Sequence, residues 1–266
     1  MTLRRKKYLL RAGIAVAFLA LLVFGAYRLF EDPTNQMFGP TVVSGPSDER
    51  VVALTYDDGP NPPYTDLILD VLKKERVHAT FFLVGRAAQA YPKTVKRMAA
   101  EGHAIGNHTW DHAHLVVLRR SQMRTEMQRT DAAILRATGT RPHIMRPPFG
   151  ARDWRVVDAM KRLGYAVIMW SVPLPNDWEY PGAPTIARRV VPNVKDGSIV
   201  VLHDGNRGQL CAARSLNPHV CDRSEDIAAT QMIVEQLKAR GFRFVTIPEL
   251  IALHKETKRK PAHGVE

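Results

Sequence analysis

The chain has 266 residues, of which 45% are hydrophobic and 24% are charged. This composition excludes a collagen, a coiled coil and a wholly disordered chain, and two cysteines are too few for a disulfide-built scaffold or a cysteine-rich zinc module. The net charge of +12 includes +4 in residues 1–32 and +2 in residues 255–266, so the remaining 222 residues carry only +6 and indicate no nucleic-acid partner.

The amino-terminal segment has the pattern of an export signal. Four successive cations at 4–7 precede an uncharged run over 12–27. The stretch 8–30 has 23 residues, enough for a helix to cross about 30 Å of hydrocarbon. We therefore predict that residues 1–32 form a cytoplasmic basic segment and a retained transmembrane signal anchor, with the rest of the chain outside the cytoplasm. Cleavage of the segment, followed by secretion, is the alternative.

The remainder is predicted to be one domain between two flanking segments. Residues 33–49 are rich in Pro, Gly, Ser and Asn and are predicted to be a linker. The domain spans 50–254, and 255–266 is predicted to be a basic tail. Apolar runs predict strands at 51–56, 79–85, 103–106, 144–146, 165–172, 198–202 and 242–247. Helical spacing predicts helices at 65–74, 92–100, 122–137, 154–163, 185–194 and 226–240.

The alternation of strands and helices predicts an α/β fold. The strands are apolar runs rather than alternating patterns, which is typical of a parallel sheet covered by helices. About seven βα units in roughly 220 residues favour a (β/α) barrel with about seven parallel strands over an open sheet. The complete prediction is such a barrel preceded by the transmembrane helix.

Polar residues follow several of the predicted strands, and in a barrel these strand ends meet at one face. His108 and His112 are four residues apart, so on one helical face they would reach a single ion together with Asp58. Asp57 would then be free to act as a base, held ionised by the cation of Arg146. His203 would be a second titratable group, able to act as an acid. This set of residues indicates metal-assisted hydrolysis.

These segments also resemble the motifs of the polysaccharide deacetylases, carbohydrate esterase family 4, whose domain is called NodB-like. The matching segments cover about residues 50–250 and are Tyr56-Asp57-Asp58-Gly59-Pro60, His108-Thr109-Trp110-Asp111-His112, Arg146-Pro147-Pro148-Phe149-Gly150 and Leu202-His203-Asp204. The resemblance implies a distorted (β/α) barrel. It also implies Zn²⁺ or another divalent transition metal such as Co²⁺ or Ni²⁺.

The resemblance further implies a role for each matching residue. Asp57 would be the catalytic base, His203 the general acid and Arg146 the cation that braces the base. The metal ligands would be Asp58, His108 and His112. The substrate-binding residues would be Phe149, through its backbone N–H, and Trp178 and Leu202, which would line the acetyl pocket.

The fourth family motif, D-x-x-D-W, is only partly matched. The segment Leu174-Pro175-Asn176-Asp177-Trp178 has Leu174 at the position of the first Asp. In the family this first Asp orients the acid histidine. If Leu174 replaces it, His203 would lack a carboxylate on its far nitrogen and would have a lower pKa than in relatives that possess one. Asp204 is the competing candidate for that carboxylate.

The two cysteines lie ten residues apart in a polar stretch. In an oxidising compartment Cys211 and Cys221 would close a short disulfide loop. Two free thiols are the alternative, and the export signal favours the disulfide.

The resemblance implies a metal-dependent hydrolase that removes N-acetyl groups from an amino-sugar polymer, peptidoglycan or a chitin-like glycan, and the export signal predicts that it acts outside the cytoplasm. Its partners would be the acetylated glycan and, through the amino-terminal helix, the membrane. One alternative is an O-acetyl esterase of the xylan type. The other is a catalytically weakened, tethered glycan-binding module, which only the incomplete fourth motif favours.

Overall fold

The structure is a computed structural model that describes residues 3–210 and 221–259. Its strands are β1 (Val51–Asp57), β2 (Thr80–Leu83), β3 (Ala104–Asn107), β4 (Ile144–Met145), β5 (Ala166–Val167), β6 (Ser198–His203) and β7 (Arg243–Phe244). Its helices are α1 (Leu3–Glu31), α2 (Tyr64–Lys74), α3 (Gly85–Ala90), α4 (Pro92–Ala100), α5 (Arg120–Thr138), α6 (Trp154–Arg162), α7 (Ala183–Val190), α8 (Ser224–Ala239) and α9 (Ile247–Arg259).

The strands form one parallel sheet with the order β5-β4-β3-β2-β1-β6, and β7 pairs with the first residues of β1. The sheet is a curled half-barrel of the (β/α) type, which confirms the predicted class. Strand β5 is much shorter than its predicted range. Strand β7 is short because α9 begins at Ile247. Neither α9 nor α3 was predicted from the sequence.

The two faces of the central strands belong to two different hydrophobic clusters. On β1, Leu54 and Tyr56 pack with side chains of α2, α7 and α8. Ala53, on the opposite face, packs with Ile199 and Val201 of β6. Because side chains alternate along a strand, Asp57 lies on the same face as Ala53. This face leads directly to the carboxyl ends where the polar residues collect.

The segment predicted to be a linker is part of the domain. Val42 forms a parallel bridge with Ile168, just after β5, and Ser44 forms an antiparallel bridge with Ser198 of β6. The Val42 N–H donates to the carbonyl of Val167 at 2.9 Å. Residues 42–44 therefore fill the gap between β5 and β6. The boundary predicted at residue 50 is wrong, because this pairing uses backbone groups that composition does not reveal.

Arg152 holds the chain that precedes this closing segment. Its side chain is almost fully buried. Its Nη2 donates to the carbonyls of Asp32, Pro33 and Asn35 at 2.9, 3.1 and 2.7 Å. Its Nη1 donates to the carbonyl of Gly150 at 3.2 Å. Arg152 thus links residues 32–35 to the turn that contains Phe149.

The amino-terminal helix does not support the predicted anchor. Within residues 3–210 and 221–259, no helix combines the length and the apolarity needed to cross a membrane. The predicted partnership with the membrane is likewise unsupported. Cys211 lies outside the residues that the structure describes, so its pairing with Cys221 stays a prediction.

Candidate active site

The parallel register brings the predicted site residues to one edge of the sheet. Asp57, the last residue of β1, is the register partner of His203, the last residue of β6. On the other side of β1, strands β2, β3 and β4 are paired so that Asn107 aligns with Met145. The residues that follow, His108 and Arg146, therefore emerge at the same edge. This convergence confirms the geometric argument made from the strand ends.

The segment 108–114 is a loop, so the prediction that His108 and His112 share a helical face is wrong. Thr109 and His112 both have positive φ, at 67° and 59°, and these values turn the chain back on itself. Glu126 of α5 anchors the loop. One of its carboxylate oxygens accepts hydrogen bonds from the backbone N–H groups of Trp110 and Asp111 at 2.9 and 3.1 Å. The histidines meet through the turn rather than through helical spacing.

Asp58, His108 and His112 form a cluster that can hold a metal ion. Asp58 Oδ1 lies 3.4 Å from His108 Nε2 and 3.1 Å from His112 Nε2, and one ligand atom from each residue lies within 4.8 Å of the others. His108 Nδ1 is 2.8 Å from the carbonyl of Arg146, which leaves Nε2 as the ligand atom. Burial lowers the pKa of His112, so this imidazole favours the neutral form that binds metal.

The hydrogen bonding and charge of the Asp58 carboxylate suit the binding of a cation by this cluster. Its Oδ2 accepts the backbone N–H of Arg207 at 2.7 Å. Its Oδ1 is buried and has no hydrogen-bond partner among the described residues. Although burial opposes ionisation, the contacts with His108 and His112 hold the pKa of Asp58 well below its usual range. A buried, ionised oxygen beside two imidazole nitrogens is a donor set that a divalent ion completes.

Asp57 is paired with Arg146, as predicted. Arg146 Nη1 donates to Asp57 Oδ1 at 2.7 Å and to Thr55 Oγ1 at 2.8 Å, and the arginine is fully buried. Its guanidinium also lies 4.2 Å from the ring centroid of Phe82. These contacts fix the cation in one position. Arg146 therefore places a buried positive charge directly against the carboxylate of Asp57.

His203 has a carboxylate partner, so the prediction drawn from Leu174 is wrong. Both oxygens of Asp177 lie 3.0 Å from His203 Nδ1, and Oδ2 also accepts the His203 backbone N–H at 2.7 Å. Burial lowers the pKa of His203, but the charge and the hydrogen bond of Asp177 outweigh it and raise the pKa to about 9. Asp204, the other candidate, instead accepts a hydrogen bond from Thr65 at 2.6 Å.

The three ligand residues, Asp57 and His203 border one cavity of about 510 Å³. Phe149 and Trp178 line it, as predicted, and each is 39% exposed. The ring of Trp178 meets the ring of His203 edge-on, with the centroids 5.3 Å apart. Leu202 does not belong to the described lining, because it is fully buried in the cluster on the opposite face of β6. Val201 takes that place, two residues before His203 and on the same face of the strand.

The comparisons with known proteins agree with this site. Residues 44–168 match a family model described as polysaccharide deacetylase. A peptidoglycan-N-acetylglucosamine deacetylase of Bacillus cereus is 38% identical over 208 residues, which cover 77% of this chain and 90% of the relative. The chain belongs to the polysaccharide deacetylase family. It is therefore a deacetylase, a hydrolase that acts on carbon–nitrogen bonds other than peptide bonds.

Other members of the polysaccharide deacetylase family match this chain with similar identity and coverage. A chitooligosaccharide deacetylase of Sinorhizobium fredii is 37% identical, with coverage of 74% of this chain and 90% of the relative. The crystal structure of the Bc1960 peptidoglycan N-acetylglucosamine deacetylase aligns with a TM-score of 0.71 and 35% identity. That alignment covers 79% of this chain and 92% of the other.

Two further residues of this polysaccharide deacetylase site were not predicted from the sequence. Arg207 lies at the rim, with its guanidinium 5.4 Å from the ring centroid of Phe149. Arg223 also borders the cavity, and it lies 3.7 Å from Asp226 at the start of α8. Arg223, which immediately precedes α8, and Asp226 are both almost fully buried. For Arg223 the signal is a buried charge beside a cavity, which becomes visible only in the folded chain.

Proposed function

We propose that this protein removes N-acetyl groups from an amino-sugar polymer of the peptidoglycan or chitin-like class, outside the cytoplasm. The observation that supports this most directly is the arrangement of three groups around one cavity: the ligand cluster, the Asp57–Arg146 pair and the His203–Asp177 pair. The named relatives act on N-acetylglucosamine in peptidoglycan and on chitooligosaccharides. Those substrates also support a location outside the cytoplasm.

In this proposal Asp58, His108 and His112 hold a divalent ion. Two imidazole nitrogens and one carboxylate oxygen suit Zn²⁺, and Co²⁺ or Ni²⁺ can occupy similar donor sets. When bound, such an ion supplies Lewis-acid chemistry, which polarises the acetyl carbonyl and makes water more acidic. The rest of the reaction is assigned to side chains and backbone groups of the protein.

The proton transfers are assigned to Asp57 and His203. Asp57, which is paired with Arg146, accepts a proton from the attacking water. His203 then donates a proton to the departing amine nitrogen. Because Asp177 holds Nδ1, the donating atom of His203 is Nε2. The proton balance is complete, since the base gains one proton and the acid loses one.

Phe149 and Trp178 are proposed to position the acetyl group. Phe149 has a φ of 61°, in the left-handed region, and its side chain extends over the site with its ring 4.5 Å from that of His112. Its backbone N–H would donate to the acetyl oxygen as negative charge develops there. Trp178, which stands edge-on to His203, would form an apolar wall beside the acetyl methyl group together with Val201.

The alternative of a weakened glycan-binding module loses its support. Only the incomplete fourth motif favoured it, and Asp177 supplies the carboxylate that appeared to be missing. The O-acetyl esterase differs from the proposal in substrate alone, because an ester uses the same base and acid. The experiment below distinguishes these functions.

The test is acetate release by the zinc-loaded protein from peptidoglycan, N-acetylated chitooligosaccharide and acetylated xylan, each with and without a chelator. We expect release from an N-acetylated glycan that chelation abolishes. Asp57→Asn is the matched control, because it removes the base without removing a metal ligand. Release from xylan alone would favour the esterase, and no release from any glycan would contradict an enzymatic function.

A further inference from the structure

The loop that joins the two histidine ligands is held in a strained conformation. Thr109, which is β-branched, has a φ of 67°, and His112 has a φ of 59°. The left-handed region is unfavourable for such side chains, so these backbone angles persist only where the surrounding structure fixes them. The partners of the loop's backbone groups are therefore the residues that set its shape.

Two of these partners come from the start of α3 and one from the end of β3. The first N–H group of α3, that of Gly85, donates to the carbonyl of Thr109 at 2.9 Å. The next, that of Arg86, donates to the carbonyl of Trp110 at 3.2 Å. The side-chain oxygen of Asn107 accepts the N–H of Thr109 at 2.9 Å. These bonds fix the first half of the loop.

Glu126 of α5 fixes the centre of the loop. Its Oε2 accepts the N–H of Trp110 at 2.9 Å and the N–H of Asp111 at 3.1 Å. A carboxylate is a stronger hydrogen-bond acceptor than a neutral oxygen. Glu126 therefore holds two consecutive peptide groups midway between the two histidine ligands.

The two histidines differ in how much they depend on this loop. The N–H of His108 donates to the carbonyl of Leu83 at 2.9 Å, and its Nδ1 lies 2.8 Å from the carbonyl of Arg146. The sheet thus fixes His108 directly. The polar contact of the His112 ring is with another ligand, because its Nε2 lies 3.1 Å from Asp58 Oδ1. Before an ion binds, the position of His112 follows from the backbone of the loop.

We propose that Glu126 is a positioning residue of the metal centre. By accepting the N–H groups of Trp110 and Asp111, it keeps the loop in the turn that places His112 beside Asp58 before an ion binds. A preformed loop raises metal affinity, because less of the binding free energy is used to order the chain. The inference rests on the ligand set of the proposed function.

The test is a calorimetric titration of the metal-free, full-length protein with Zn²⁺. Glu126→Ala removes the acceptor and should weaken zinc affinity by about 10- to 100-fold, the range for loss of a group that orients a metal ligand. Glu126→Gln keeps an oxygen that can accept both N–H groups and should stay within about threefold of the wild type. The proposal is overturned by wild-type affinity in Glu126→Ala, and equally by a loss in Glu126→Gln as large as that in Glu126→Ala.

Arg129→Ala is the matched control. Arg129 also lies on α5, and its guanidinium is 4.0 Å from the ring centroid of Trp110, a contact with a side chain of the loop rather than with its backbone. We expect this variant to bind zinc as the wild type does. A loss equal to that of Glu126→Ala would assign the effect to packing on Trp110 and contradict the proposal. Each titration is made where circular dichroism shows a folded chain, because a general loss of stability does not change the affinity of the folded form.

Hydrogen exchange in the metal-free wild type needs no variant. The N–H groups of Trp110 and Asp111 should exchange at least about tenfold more slowly than in the unfolded chain. Exchange at the unfolded rate would refute a preformed loop, even if Glu126→Ala fails to fold. If the wild type binds no zinc, the proposed ligand set itself fails. Equal zinc binding by the wild type and Glu126→Ala refutes the role of Glu126 alone.

Discussion

Replacement of Asp177 by Asn tests the pairing that sets the acidity of His203. In the folded protein the pKa of His203 is raised from 6.5 to about 9, and Asp177 is the largest cause that raises it. The amide keeps the size of the side chain but removes its charge. We therefore expect the imidazolium to lose its proton about 2 pH units earlier as the pH rises, which corresponds to about 3 kcal/mol.

The consequence for the rate follows from the fraction of His203 that is protonated. At pH 8 a group with a pKa of about 9 is roughly 90% protonated, whereas a group with a pKa of about 7 is roughly 10% protonated. The variant should therefore lose about tenfold in kcat at pH 8 and less at pH 6. A divalent ion at Asp58 lowers the pKa of His203 in both proteins, so the difference between their profiles is the relevant quantity.

The assay is kcat against pH for acetate release, measured on wild type, Asp177→Asn and Glu179→Gln. Glu179 is an exposed carboxylate on the same 3₁₀ turn, and it accepts a hydrogen bond from Asn176 at 3.2 Å. Its removal should leave the basic limb unchanged. If Asp177→Asn also leaves the limb unchanged and retains full activity, His203 is not the acid that Asp177 tunes.

Three further changes test other parts of the site. His112→Ala should lower zinc affinity by more than about 100-fold in a calorimetric titration, since it removes one of three ligands, and unaltered affinity would contradict the cluster. Asp57→Asn should keep one bound zinc per chain while losing about 10²- to 10⁴-fold in kcat, and loss of the ion would show that Asp57 is a ligand. Gly59→Ala should lower the urea unfolding free energy by about 1–3 kcal/mol. The added Cβ would lie 2.0 Å from the buried Asp204 Oδ2, so an unchanged midpoint would argue against that packing.

Much of the site was predictable because parallel strands bring their carboxyl ends together. Asp57, His108, Arg146 and His203 each stand at the end of a strand, and the register of the sheet aligns them. The chemistry of these residue types then limits the reaction class. The exact path of the loop to His112 was not needed for this prediction, which is why the wrong helical geometry still led to the right pair of histidines.

The prediction that His203 lacks a carboxylate partner was wrong because the fourth motif was aligned with the chain by residue spacing alone. The loop contains two residues with positive φ, Asn176 at 53° and Tyr180 at 54°, and these turn Asp177 toward His203. No pattern in the sequence specifies such a turn. Val201, by contrast, was predictable, since residues two apart on a strand share a face with His203. The choice of Leu202 ignored that alternation.

The contacts of residues 32–45 affect how a shortened form of the protein should be chosen. A chain cut at residue 50 would retain the ligands, the base and the acid. It would lose the strip of backbone that pairs beside β5 and β6, and it would expose the unpaired edges of both strands. Arg152 would lose three of its carbonyl acceptors while it remained next to the turn that holds Phe149. Inactivity of such a fragment would therefore reflect an unfinished barrel rather than defective chemistry.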